Sequence, residues 1–166
     1  MSKSNEMLRI SQSALSSLCL HGEETYPHEC CGVLLGRIEG GTRRVETAVR
    51  CGNTRTDSPR NRYNIDPREL VQAQRQARAQ GMDIVGFYHS HPDHPARWSH
   101  TDLAEAHWYG CSYVITNVEN GRASVTNSFL LAGSGEEDKR FEDEPVEVAA
   151  PESKVPVTAS ESGKRR

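Results

Sequence analysis

A chain of 166 residues is long enough for one domain with its own core. Apolar residues make up 35% and charged residues 26%, which is polar for a globular protein, and no apolar run is long enough for a signal peptide or a membrane span. The 20 Lys and Arg against 23 Asp and Glu leave a formal net charge of -3, without the basic surplus that nucleic-acid binding demands.

These bounds predict a cytoplasmic protein that binds neither membrane nor nucleic acid. The five cysteines, Cys19, Cys30, Cys31, Cys51 and Cys111, are odd in number and irregular in spacing, as expected of reduced thiols. Charge is uneven along the chain. Residues 37–78 are rich in arginine and residues 136–147 are mostly acidic. Two solvated faces are the plain reading. The rival reading is that Arg43, Arg44 and their neighbours dock an acidic partner.

In chain order, residues 11–22 read as a helix, with Leu15 and Leu18 on one face and serines near its start to cap it. Cys31–Arg37 reads as a buried strand through Val33, Leu34 and Leu35. Arg43–Cys51 reads as a second strand, with Val45, Thr47 and Val49 alternating with charged or small residues. Residues 52–61 crowd Gly, Asn, Thr, Asp, Ser and Pro into a loop. Asp66, Pro67 and Glu69 make a helix start: the Asp accepts free backbone N–H groups and Pro has none to leave unpaired. That helix runs to about Gln80 and stops at Gly81.

Asp83–Tyr88 reads as a strand leading straight into His89, and Ser99–Trp108 as a short helix. Cys111–Thr116 and Ala123–Leu131 read as strands around Asn120-Gly121, a hairpin signal because both residues tolerate positive φ. Residues 144–148 read as a last edge strand. From Ala149 onward, Pro, Ser, Glu, Lys and Arg dominate, which predicts a disordered tail over 149–166 after a single domain over 8–148.

The chemistry concentrates in His89-Ser90-His91-Pro92, six residues, Ser99, two residues, Asp102. In extended backbone, residues i and i+2 point to the same side, so His89 and His91 can share one metal. Pro92 cannot continue a strand ladder, so the chain leaves the sheet there. Asp102, in the first turn of the next helix, can then swing back towards the imidazoles. Two nitrogens, one carboxylate and an open position are the arrangement of catalytic rather than structural zinc. Ser99-x-x-Asp102 is also an ordinary helix N-terminus, and both roles are compatible. His94 and His100 fall off the shared face. A hydrolytic metal site needs a base. Glu29 is a candidate, since a carboxylate at the edge of a core strand is unfavourable without a partner or a role.

These residues resemble the JAMM metalloproteases, also called catalytic MPN domains. The His-Ser-His-Pro, Ser and Asp spacing matches throughout, and Glu29-Cys30-Cys31-Gly32 with its following apolar run matches the family's upstream glutamate stretch. The resemblance covers about residues 8–148 and includes Arg62-Tyr63-Asn64-Ile65-Asp66-Pro67. It implies an α+β fold, a single mixed sheet flanked by helices in an α/β/α arrangement. It also implies one Zn2+ held by His89, His91 and Asp102, Glu29 as general base, and Ser99 as donor to the water or the developing oxyanion.

The resemblance further implies hydrolysis after the Gly-Gly tail of a ubiquitin-like protein. The compact chain, with no long insertion beside the site, is most similar to bacterial members that process small sulfur-carrier proteins. Cleavage of isopeptides to another ubiquitin-like modifier is the alternative, and a non-catalytic interaction module is a second. Two imidazoles and a carboxylate also accept iron, cobalt or manganese; zinc follows from the resemblance and the hydrolytic role. A base deaminase would need His-x-Glu and Pro-Cys-x-x-Cys, and neither is present. Adjacent Cys30 and Cys31 lack the spacing of a structural zinc site and read as small buried apolar residues.

Overall fold

A computed structural model describes residues 6–54 and 63–150. The expected tail falls almost wholly outside these residues, as does most of the 52–61 loop. The strands are β1 (Met7–Ser11), β2 (Cys31–Glu39), β3 (Thr42–Cys51), β4 (Asp83–Pro92), β5 (Ser112–Glu119), β6 (Arg122–Ala132), β7 (Arg140–Glu144) and β8 (Val146–Ala149). The helices are α1 (Gln12–Thr25), α2 (Pro67–Ala79) and α3 (His100–Glu105). The fold is α+β, as the resemblance implied.

One mixed sheet runs in the order β7-β6-β5-β4-β2-β3-β1-β8. β1 pairs parallel with β3 and β8, β4 pairs parallel with β5, and the remaining ladders are antiparallel. Strands β7 and β8 lie at opposite ends of that order, yet only Pro145 separates them in the chain. The sheet therefore curls until its two edges meet at Pro145, whose carbonyl accepts from Leu8 N–H at 2.9 Å. Pro has no N–H for a ladder, so it is a natural point for the chain to pass from one edge to the other.

The single edge strand expected over 144–148 is thus divided by Pro145 between the two edges of the sheet. Strand β1 was not anticipated, although Leu8 and Ile10 are buried at period two on either side of Arg9. Strand β7 carries one apolar side chain among charges and gives little signal of its own. The expected helix over 99–108 is shorter and ends at Glu105.

The two sheet faces hold separate cores. Leu8, Ile10, Leu34, Val45, Val85 and Tyr88 pack on one side with Leu18 of α1. Val33, Leu35, Phe87, Tyr113 and Leu131 pack on the other with Ala73 and Ala77 of α2. Gly32 is required by close approach: a Cβ there would stand 2.2 Å from the Tyr88 ring and 2.4 Å from the Val49 carbonyl. Ser11 caps α1, accepting from Ala14 N–H, and Asp66 caps α2 with Pro67 in its first turn, as expected.

The idea that Arg43 docks a partner is overturned. Arg43 is buried beneath the seam where the edges meet, paired with Glu6 at 2.7 Å and Glu144 at 3.1 Å, and its Nε donates to Gly110 O. Glu144 also accepts from Ser112 and Ser128 hydroxyls at 2.6 and 2.7 Å. Arg37 and Arg44 are exposed but form ion pairs with Glu46 and Glu39.

Candidate metal centre

β4 carries His89 and His91 to one end of the sheet on the α2 side, because Phe87 and His89 alternate with Tyr88 and Ser90. Their Nε2 atoms lie 3.2 Å apart. The strand holds its ladder to Pro92, which pairs with Val118, and turns away at Asp93 with φ 57°. Asp93 stabilises the turn by accepting from Tyr26 O–H at 2.6 Å and Asn120 N–H at 2.8 Å.

Asp102 returns as expected. A reciprocal cap fixes it: Ser99 Oγ accepts from Asp102 N–H at 3.0 Å, and Asp102 Oδ2 accepts from Ser99 N–H at 2.8 Å. His89 Nε2 then stands 3.2 Å from Asp102 Oδ1, and His91 Nε2 stands 3.3 Å from Asp102 Oδ2. Donor atoms about 2.0–2.1 Å from a tetrahedral zinc stand about 3.3 Å from one another. Each imidazole meets a different Asp102 oxygen, and one ligand atom from each of the three residues lies within 4.8 Å of the others, so the residues can converge on such an ion. His94 and His100 are exposed and stay outside this cluster.

Electrostatics agree with a ligand set. Burial lowers the His89 pKa despite the neighbouring Asp102 carboxylate, which favours the neutral imidazole a metal requires. Burial pushes the Asp102 pKa up, but His89, His91 and the Ser99 N–H outweigh it and hold the carboxyl well below its usual range. Burial raises the thiols of Cys30 and Cys51 to about 11 and that of Cys31 higher still, so all three stay protonated.

Glu29 stands just before β2 and is only 4% exposed, and its Oε1 has no hydrogen-bond partner among the described residues. Burial first, then the Asp102 and Glu105 carboxylates, raises its pKa from 4.5 to about 9. It lines a cleft of about 360 Å³ together with His91, His94, Pro95, Arg97 and Ser99. One cleft thus brings together a buried carboxyl, a histidine of the donor triangle and the serine that caps α3.

Sequence reasoning missed the groups that hold this set in place. The Tyr63 ring stacks on His89 with centroids 4.5 Å apart and planes inclined by 25°. Among the described residues, the buried Nδ1 of His89 has no hydrogen-bond partner, so the ring stack is the support this imidazole has there where most ligating histidines have a hydrogen bond. His91 Nδ1 instead faces Pro95 O at 2.9 Å. Tyr63 sits in the stretch noted before α2, but nothing in its spacing reveals a stack on a histidine 26 residues later.

The family described as prokaryotic homologs of the JAB domain matches residues 11–130. The chain is 37% identical over 112 residues to the desampylase of Haloferax volcanii, covering 65% of this chain and 78% of that protein. It is 32% identical over 117 residues to a Thermus thermophilus protein named as a TtuB-protein conjugate cleaving protease, covering 70% and 74%. The solution structure of a protein from Desulfitobacterium hafniense superposes with a TM-score of 0.71 at 30% identity, covering 86% of this chain and 94% of that one. With the match spanning most of the described fold and its donor triangle, the chain belongs to the prokaryotic JAB-domain family, within the JAMM/MPN proteins.

Proposed function

We propose that the chain is a metal-dependent hydrolase that cuts the bond after the C-terminal Gly-Gly of a small ubiquitin-like sulfur-carrier protein, with one zinc ion held by His89, His91 and Asp102. The observation that carries this reading is the cluster in which one ligand atom each of His89, His91 and Asp102 lie within 4.8 Å of one another, beside a cleft lined by the buried carboxyl of Glu29. Zinc bound there would polarise the scissile carbonyl and acidify a water.

The chain's own groups supply the rest. Glu29 accepts the proton of the attacking water at its carboxylate and returns it to the departing amine. Burial and the Asp102 and Glu105 carboxylates favour its protonated form in the metal-free site, and a cation held by His89, His91 and Asp102 would restore the carboxylate that accepts the proton. The Ser99 hydroxyl accepts from Asp102 N–H and keeps its own hydrogen to donate to the developing oxyanion. No side chain becomes acylated. Glycines at the end of the substrate suit a narrow approach because they carry no side chain. Free cysteines accord with a reducing, cytoplasmic setting.

One relative is named as a conjugate cleaving protease, which favours a second substrate form for this chain, read here as a ubiquitin-like protein joined to a target through an isopeptide. Both forms share the Gly-Gly acyl side and differ only in the leaving amine.

The test is to incubate the purified protein with ubiquitin-like sulfur carriers extended beyond Gly-Gly, or conjugated through it, and to follow intact mass. Cleavage after Gly-Gly that is lost with a chelator and in Glu29→Ala is the expected result. Cleavage that persists in both would overturn the reading.

A further inference from the structure

The segment 93–98 between β4 and α3 forms one wall of the cleft, and three side chains pin its backbone at consecutive carbonyls. Asn117 Nδ2 donates to His94 O at 2.6 Å, His91 Nδ1 faces Pro95 O at 2.9 Å, and Asn127 Nδ2 donates to Ala96 O at 2.9 Å. The next residue is Arg97. It is exposed, it lines the same cleft as Glu29, His91 and Ser99, and its guanidinium has no hydrogen-bond or ion-pair partner among the described residues.

Arg37, Arg43, Arg44, Arg50 and Arg140 are all paired with carboxylates. Arg75, Arg78 and Arg122 show no such pairing among the described residues, but they line no part of this cleft. A free guanidinium on a wall fixed at three points, one of them by a residue of the donor triangle, is placed to meet an anion on the substrate.

We propose that Arg97 binds the free α-carboxylate of a short extension beyond the Gly-Gly bond, so that the site selects a linear C-terminal tail over a lysine isopeptide. This rests on the function proposed above and deepens it by naming the leaving group. The chemistry separates the two substrate forms. When one amino acid follows Gly-Gly, its carboxylate lies two bonds from the departing nitrogen. When the leaving group is a lysine side chain, four methylenes separate the departing nitrogen from that residue's Cα, and its carboxyl is already spent in a peptide bond. Guanidinium and carboxylate match as planar, bidentate partners.

The experiment uses zinc-loaded protein and ten-residue peptides ending in Gly-Gly-Ala, one with a free C-terminal carboxylate and one amidated. Binding is read from NMR shifts of the 93–99 backbone, and turnover from product mass. The acid is expected to bind and turn over about tenfold to a hundredfold better than the amide. Arg97→Gln brings the two peptides together, and Arg97→Lys restores part of the preference.

Equal behaviour of acid and amide in the wild type would overturn the proposal, as would a preference that survives Arg97→Gln or failure of both peptides to bind. An acid preference in binding that disappears in Arg97→Gln, with no cleavage of either peptide, would sink the proposed hydrolysis and leave the carboxylate site standing.

Discussion

Glu29→Gln should stabilise the metal-free protein while removing its activity, and the gain should depend on pH. The carboxyl is buried, and its pKa rises from 4.5 to about 9 with burial as the main cause and the Asp102 and Glu105 carboxylates behind it. A carboxyl with a raised folded-state pKa binds its proton more tightly folded than unfolded. Its contribution to stability is therefore complete below pH 4.5 and is lost as pH climbs from 4.5 towards 9. Each pH unit in that window takes about 1.4 kcal/mol, so by pH 7 the wild type gives up about 3 kcal/mol relative to a neutral side chain. Gln keeps the shape and stays neutral throughout.

Urea unfolding in the presence of a chelator, at pH 5, 6, 7 and 8, measures the difference. The amide's own unmet hydrogen bonds add a constant offset, so the slope is the quantity to read. The advantage of Glu29→Gln should rise by about 1.4 kcal/mol per pH unit. A pH-independent difference would refute the claim that Glu29 is held in a site where its charged form is disfavoured.

Other predictions address the supports. Ser99→Ala removes the cap of α3 and should lower stability by about 1 kcal/mol, with a fall in turnover of about 10²–10³-fold, read by thermal unfolding and by kcat. Tyr63→Ala should weaken zinc binding about 10–100-fold in a chelator competition, whereas Tyr63→Phe, which keeps the ring on His89, should bind zinc as the wild type does. Glu144→Ala leaves Arg43 buried without that partner and should cost about 3–5 kcal/mol in urea unfolding, while Arg44→Glu at the surface should change stability by less than about 1 kcal/mol.

The strands with continuous or alternating apolar runs, β2 to β6, were legible from the sequence because each buries at least part of its length. The caps of α1 and α2 were legible because capping is local chemistry between residues a few positions apart. Strands β1 and β7 were not. Met7–Ser11 is short, and Arg140–Glu144 is almost entirely charged, so their place depends on ladders to distant partners.

The curl of the sheet follows from a pairing of β1 with β8 across more than 130 residues, which no local pattern encodes. In the site, the i, i+2 rule brought His89 and His91 together, and the reciprocal cap that an N-terminal Ser-x-x-Asp foretells brought Asp102 to them. The second layer stayed hidden. Tyr63 on His89, and Asn117 and Asn127 on the 94 and 96 carbonyls, are long-range contacts whose residue types carry no special signal. Arg43 shows the opposite error: a charged residue in an arginine-rich stretch looks like surface, yet its partner Glu144 lies 101 positions away.

Native mass spectrometry of the purified protein and four variants, with conjugate cleavage measured on the same samples, tests the central claim most directly. The wild type should carry one zinc ion, and His89→Ala, His91→Ala and Asp102→Ala none. Glu29→Gln should carry one zinc ion and cleave nothing, which separates the group that moves the proton from the groups that hold the metal. Cleavage by Glu29→Gln at the wild-type rate, or a full complement of zinc in Asp102→Ala, would contradict the account.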